Sequence, residues 1–169
     1  LFDNNKLKKS KPLSICIYDC KQCFDSLWQD EVINDIYEAG MTNDKLPLLF
    51  KMNQNAKVAI KTVQGMTKRK DIKNIIMQGT VWGSLLCTST LDKLPKQAYE
   101  NKALLFKYKG EVQVPPLEMV DDILTMQKCG MASVTLNSHV NAFIEQKKLT
   151  LGQNKCTKIH MGKKCNECE

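Results

Sequence analysis

Residues 117–126 read LEMVDDILTM, two apolar runs on either side of Asp121 and Asp122. This pattern predicts two strands joined by a tight turn, a hairpin whose tip carries both carboxylates. An Asp-Asp pair alone says little, because acidic residues are ordinary in turns. A second stretch changes its meaning. Leu13 to Tyr18, LSICIY, is a short apolar run with β-branched content that ends at Asp19. It predicts a buried strand delivering a carboxylate at its C-terminal end. Laid side by side in one sheet, the two stretches would gather Asp19, Asp121 and Asp122. Clustered carboxylates repel, and hard cations offset the repulsion. Magnesium suits such a set, because it takes a few carboxylates and keeps room for water and substrate phosphates. Two ions held this way, with manganese as a substitute, would serve phosphoryl transfer.

The intervening sequence predicts the rest of an α+β domain. Ser26-x-x-Gln29 fits a capping box, followed by apolar residues at helical spacing and Gly40 at the C-terminal stop. A second helix is predicted over Asp44 to Asn53. Lys57 to Val63 and Asp71 to Met77 alternate polar and apolar residues around a basic turn, which predicts a hairpin. Gly79 to Ala98 reads as a helix weakened by Gly83 and broken or kinked at Pro95. Ala103 to Tyr108 reads as a strand, Lys109-Gly110 as a turn, and Pro115-Pro116 as an interruption. A helix from about Ser133 to Lys147 and a strand from Thr157 to Met161 complete the pattern. There is no internal repeat.

The chain has 169 residues, 43% of them apolar, enough for one sizeable core, so a single domain spanning 1–169 is expected. Net charge is +7, and Arg69 is the one arginine among 25 basic residues. Lysine makes point contacts to phosphate, which favours backbone binding over base reading. Lys6, Lys8, Lys9 and Lys11, and again Lys68, Arg69 and Lys70, form clusters fit for a nucleic-acid path or a solvated basic surface. The chain opens on Leu1, and residues 1–12 hold no signal-like or membrane-spanning run. An excerpt of a longer intracellular protein is expected, nuclear or cytoplasmic, not secreted and with no membrane partner. Its eight cysteines are then expected to be free thiols.

Four stretches carry a resemblance. IYDCKQCFDSLW resembles motif A of reverse transcriptases, QGTVWGSLLCTSTLDKL motif B, MVDDIL motif C and LTLGQNKCTKIHMGKK motif D. They occur in family order and span Leu13 to Lys164. The wording around them, YKGEVQVPPLEMVDDILT, is most similar to the non-LTR, LINE-like retrotransposon class. The resemblance implies a polymerase palm, an antiparallel sheet with helices on one face and the acidic cluster on the open one. It implies RNA-directed DNA synthesis with an RNA template, a DNA primer and deoxynucleoside triphosphates as partners. Most of the fingers, the primer grip and the thumb would come from flanking segments of the parent protein.

The resemblance also implies roles by position. Asp19 and Asp121 would be the main metal ligands, helped by the Cys20 carbonyl, with Asp122 as the accessory carboxylate. Phe24, five residues after Asp19, falls where the family places an aromatic gate against the 2′-hydroxyl of ribonucleotides. Gln78 and Gly79 would line the nucleotide site, glycine permitting close backbone approach. Lys155 matches the motif D lysine that would protonate pyrophosphate. Met119 departs from the aromatic residue that many members carry before the paired aspartates.

Other readings stand beside this one. The chain could be a catalytically inactive palm remnant that binds nucleic acid through its lysines. Zinc is a further possibility. Cys20-x-x-Cys23 falls inside motif A, where the strand and turn already have a role. Cys165-x-x-Cys168 with His160 supplies three ligands of the usual four, and the fourth would be expected beyond Glu169.

Overall fold

The strand expected at Leu13 runs on to Lys21 and becomes the centre of a sheet. The computed structural model describes residues 12–41, 44–53, 57–72, 81–109 and 112–162. In chain order the elements begin with β1 (Leu13–Lys21), α1 (Cys23–Ser26), α2 (Gln29–Glu38) and α3 (Leu46–Asn53). Four short strands follow, β2 (Lys57–Val58), β3 (Lys61–Thr62), β4 (Gly65–Met66) and β5 (Lys70–Asp71). Then come α4 (Val81–Leu91), α5 (Lys93–Glu100), a 3₁₀ turn (Lys102–Leu104), β6 (Phe106–Tyr108) and β7 (Val112–Val114). The chain closes with β8 (Leu117–Met119), β9 (Asp122–Lys128), α6 (Met131–Gln146), β10 (Thr150–Leu151) and β11 (Thr157–Met161).

These elements divide into two compact units. Residues 12–21 and 91–162 form the first, built on a five-stranded sheet in the order β10-β1-β9-β8, with β11 also pairing β1. All pairings are antiparallel. Along β1 burial alternates with the strand period of two: Ser14, Cys16, Tyr18 and Cys20 are buried, while Leu13, Ile15, Ile17 and Asp19 on the other face are half-buried. β9 repeats this with Ile123, Thr125 and Gln127 on the buried side.

That buried side is covered by α6, whose Leu136, Val140, Phe143 and Ile144 recur at helical spacing and are nearly inaccessible. Each such side chain contributes about 1.5–3 kcal/mol by leaving water. Polar groups on this face find partners: Tyr18 donates its hydroxyl to Asn137 Oδ1 at 2.8 Å, and Gln127 Nε2 donates to the Leu105 carbonyl at 3.4 Å. The expected antiparallel sheet with helices on one face is therefore what the sequence folds into.

The second unit holds the described residues between 22 and 90. Its interior includes Cys23, Leu27, Val32, Ile36, Leu49, Leu86 and Cys87, with the Cys23 and Cys87 sulfurs 3.2 Å apart. The six described cysteines are all free thiols. The expected basic hairpin is present, but its arms differ. β2 pairs β5 and β3 pairs β4, so the return arm is 65–71 and not 71–77, of which residues 73–77 lie outside the described ones. Gly65, with φ of 120°, lets the chain reverse that early.

Three other expectations are corrected. Ser26 caps no helix: Gln22 adopts a left-handed conformation, and its carbonyl takes the N–H groups of Asp25 and Ser26, so Ser26 ends α1. Trp28 then starts α2 without a side-chain cap. Pro95 breaks nothing, because the helical run already stops at Asp92 and Pro95 falls in the first turn of α5, where a missing N–H is harmless. Ala103 lies in the 3₁₀ turn, so β6 starts at Phe106, and β7, which the reading passed over, pairs with it ahead of Pro115-Pro116.

Candidate active site

The β8–β9 hairpin closes at the pair Met119 and Asp122, leaving only Val120 and Asp121 in the turn. So tight a turn needs a positive φ, and Val120 supplies it at 60°. For a β-branched residue this is a strained conformation, of the kind that persists where surrounding structure over-determines it. The cross-strand pairs of β9 with β1 supply that determination. They run without a break from Leu13 opposite Lys128 to Asp19 opposite Asp122, and the Cys20 N–H donates to the Asp121 carbonyl at 3.3 Å.

Asp19 and Asp122 are thus direct partners on the face away from α6, and Asp121 sits one residue further into the turn. The side chain of Asp19 is 16% exposed, Asp121 is half-buried and Asp122 exposed. Lys155 reaches the same point from the β10–β11 connection, placing its Nζ 3.2 Å from Oδ1 and 3.3 Å from Oδ2 of Asp19. Of the sequence-selected residues, Lys155 touches Asp19, Asp122 is the cross-strand partner of Asp19, and Asp121 stands next to it in the turn. Cys20 adjoins them, its side chain buried on the α6 face.

Gly152 is a participant that sequence reasoning left without a role. Its N–H donates to the Asp19 carbonyl at 2.9 Å, and its own carbonyl accepts from Lys155 at 2.7 Å and from Cys156 at 3.1 Å. It fastens the turn that carries Lys155 onto β1. A Cβ there would stand 3.3 Å from Asp19 Oδ1, closer than side chains ordinarily pack. The available signal was the lone glycine in the polar turn LGQNK.

Phe24 belongs to α1 in the other unit and is half-buried. Gln78, Gly79, Cys165 and Cys168 lie outside the described residues.

Beneath the hairpin, Glu118 points to the α6 side as partner of Ile123. One of its carboxylate oxygens is buried with no hydrogen-bond partner among the described residues. Burial first, and then the nearby Asp92, push its pKa up to about 7, while Lys96 acts in the opposite sense. Burial likewise pushes the Tyr18 phenol above its usual range, so Tyr18 stays a neutral donor to Asn137.

Asp19, Asp121 and Asp122 stand at adjoining strand ends, but among the described residues no three His, Cys, Asp or Glu side chains are grouped so as to hold a metal ion. The cation the structure places at this end of the sheet is the Lys155 ammonium on Asp19.

An antiparallel sheet with helices behind it and acidic residues at a strand end and a hairpin tip defines a polymerase palm. The family model described as reverse transcriptase (RNA-dependent DNA polymerase) matches residues 2–168, and the chain belongs to that family. Its fold is similar to that of apo telomerase from Candida tropicalis truncated from the C-terminal domain, with TM-score 0.65 and 17% identity over 96% of this chain and 33% of that one. Telomerase from Candida tropicalis in complex with the TWJ fragment of telomeric RNA gives TM-score 0.63 and 15% identity over 92% and 28%. The corresponding complex from Candida albicans gives 0.61 and 14% over 87% and 27%. This chain spans about a third of the length of these structures. No curated protein matches it by sequence.

Proposed function

We propose that this chain is the palm of an RNA-directed DNA polymerase of a non-LTR, LINE-like retrotransposon, extending a DNA primer on an RNA template. The observation that carries the reading is the register pair of Asp19 with Asp122, with Asp121 in the two-residue turn beside it. Asp19 and Asp121 would hold the catalytic ions, with Asp122 and the Cys20 carbonyl in support. Magnesium bound there would supply activation of the primer 3′-hydroxyl and stabilisation of the leaving oxygen.

The remaining work falls to the chain's own groups. Lys155 is the proton donor to departing pyrophosphate, held at the site through Asp19 and through the Gly152 turn. Phe24, Gln78 and Gly79 are assigned to the nucleotide by their motif positions, Phe24 against the sugar. The exposed Lys61, Lys68, Arg69 and Lys70 on the β2–β5 hairpin offer phosphate contacts. A neighbour solved with an RNA fragment supports RNA as a partner. Flanking fingers and thumb segments complete the enzyme.

The experiment is primer extension on an RNA template with magnesium, using the polymerase with its flanking segments. Asp19→Asn should abolish extension while leaving the melting temperature unchanged or higher, since one carboxylate fewer repels its neighbours. Full activity in that variant would remove the proposed site. RNA binding without extension by the unaltered polymerase would favour an inactive nucleic-acid-binding remnant.

A further inference from the structure

The hairpin from β2 to β5 packs little against the rest of its unit. Every residue from Ile60 to Asp71 is exposed, as are Lys57 and Val58. Its apolar side chains are as open as its lysines: Ile60 is 64% exposed, Met66 66%, and Val63 fully. Aliphatic side chains gathered at one tip differ from the scattered ones that any surface carries. The hairpin is nonetheless held in shape by its own bonds. Thr62 donates its hydroxyl to the Gly65 carbonyl at 2.9 Å and accepts the Gln64 N–H at 3.2 Å, which fixes the turn at Val63 and Gln64.

Further down the arms, two residues face three. Between the pairs Val58–Lys70 and Lys61–Met66 stand Ala59 and Ile60 on one arm and Thr67, Lys68 and Arg69 on the other. This is a β-bulge, which leaves its extra residue unpaired and re-aims the side chains around it. Thr67 spans it, accepting the Ile60 N–H on its hydroxyl at 2.9 Å and donating its own N–H to the Ile60 carbonyl at 3.0 Å. The bulge therefore falls in the basic run Lys68-Arg69-Lys70.

The hairpin carries five cations, Lys57, Lys61, Lys68, Arg69 and Lys70, against the single Asp71. Asp71 takes Lys57 at 3.5 Å, so the excess lies with the other four. Their complement is a polyanion. Consecutive strand residues face opposite ways, so Ile60 stands on one face and Met66, the cross-strand partner of Lys61, on the other, with Val63 at the apex. An apex that is apolar on both sides and basic along its arms has the chemistry of a segment that parts a base step and holds the flanking phosphates. Stacking the bases of a single strand calls for aromatic rings, and the hairpin has none. A membrane-surface segment gathers its apolar groups on one face.

We infer that the β2–β5 hairpin is a wedge for duplex nucleic acid, with Lys61, Lys68, Arg69 and Lys70 on the phosphates and Ile60, Val63 and Met66 at a base step. This deepens the assignment of these cations to phosphate and rests on it, independently of polymerase activity.

The test is equilibrium binding of the full chain to a short RNA–DNA hybrid carrying 2-aminopurine in its DNA strand, followed by anisotropy and by 2-aminopurine emission. Binding should brighten the emission as a step opens. Val63→Ser should weaken binding on the order of tenfold and suppress the brightening, with the salt dependence unchanged because no charge is lost. Lys61→Ala and Lys68→Ala should each lower the slope of log affinity against log salt by about one and leave the brightening of the bound hybrid intact. All these side chains are exposed, so the variants keep the wild-type fold. Unchanged affinity in Val63→Ser, or a hybrid that binds without brightening, would overturn the wedge. So would a preference for the single strands, or tighter binding to phosphatidylserine vesicles than to the hybrid. Primer extension is read separately. A chain that brightens the hybrid and extends nothing upholds the wedge and counts against the polymerase reading alone, and the reverse result overturns the wedge alone.

Discussion

Lys155 lays its ammonium against both carboxylate oxygens of Asp19, at 3.2 and 3.3 Å, across 136 residues of sequence. The lysine side chain is 76% exposed, so the pair contributes little to stability. Its value lies in position. On the proposed polymerase reading, this tethered cation would compete with a divalent ion for Asp19 and, once displaced, would stay within reach of the reacting phosphates. Lys155→Ala should therefore bind magnesium more tightly by calorimetry while slowing single-turnover extension on the order of 100-fold. Tighter binding with undiminished extension would reduce Lys155 to a counter-ion.

Gly152 should be intolerant for a different reason. In Gly152→Ala the new methyl stands 3.3 Å from Asp19 Oδ1, and either the carboxylate or the turn must give way by a few tenths of an ångström. Misplacement on this scale damages catalysis more than folding. Extension should fall at least tenfold with a melting temperature within a few degrees of wild type. Equal losses of both would mean that the glycine serves the fold alone.

Glu118 should make stability depend on pH in an unusual direction. Its pKa rises from 4.5 in the unfolded chain to about 7 in the folded one, so between those values the folded state binds more protons. Stability from this group is then greatest below pH 4.5 and falls as pH rises to 7. Glu118→Gln stays neutral and escapes the loss. The melting temperature of the variant minus that of wild type should climb across this window and level off above it. A flat difference would place the carboxyl in water.

Phe24 separates two roles by the kind of effect its replacement has. As a sugar gate, Phe24→Val should lower the ratio of deoxy to ribo incorporation about tenfold or more, corresponding to about 1.4 kcal/mol. As a packing residue it should only lower the melting temperature. Competitive incorporation assays and thermal unfolding on one preparation distinguish them.

What the sequence by itself determined is local. Alternation in LSICIY and in LEMV and ILTM marked the strands that end at Asp19 and flank Asp121 and Asp122, because a strand's period of two is written in consecutive residues. The spacing of Leu136, Val140, Phe143 and Ile144 marked α6 for the same reason. Ser26 and Pro95 misled where a neighbouring residue, Gln22 or Asp92, had already settled the helix end. Only the tertiary structure decided what crosses the sheet. The register that sets Asp19 opposite Asp122 and the seat of Lys155 and Gly152 on Asp19 are pairings between remote segments. Such pairings leave no periodic trace, because a one-residue slip would preserve each strand's own pattern while moving every partner. They are fixed by burying one face of the sheet beneath α6, a condition on the whole fold and not on any stretch of it.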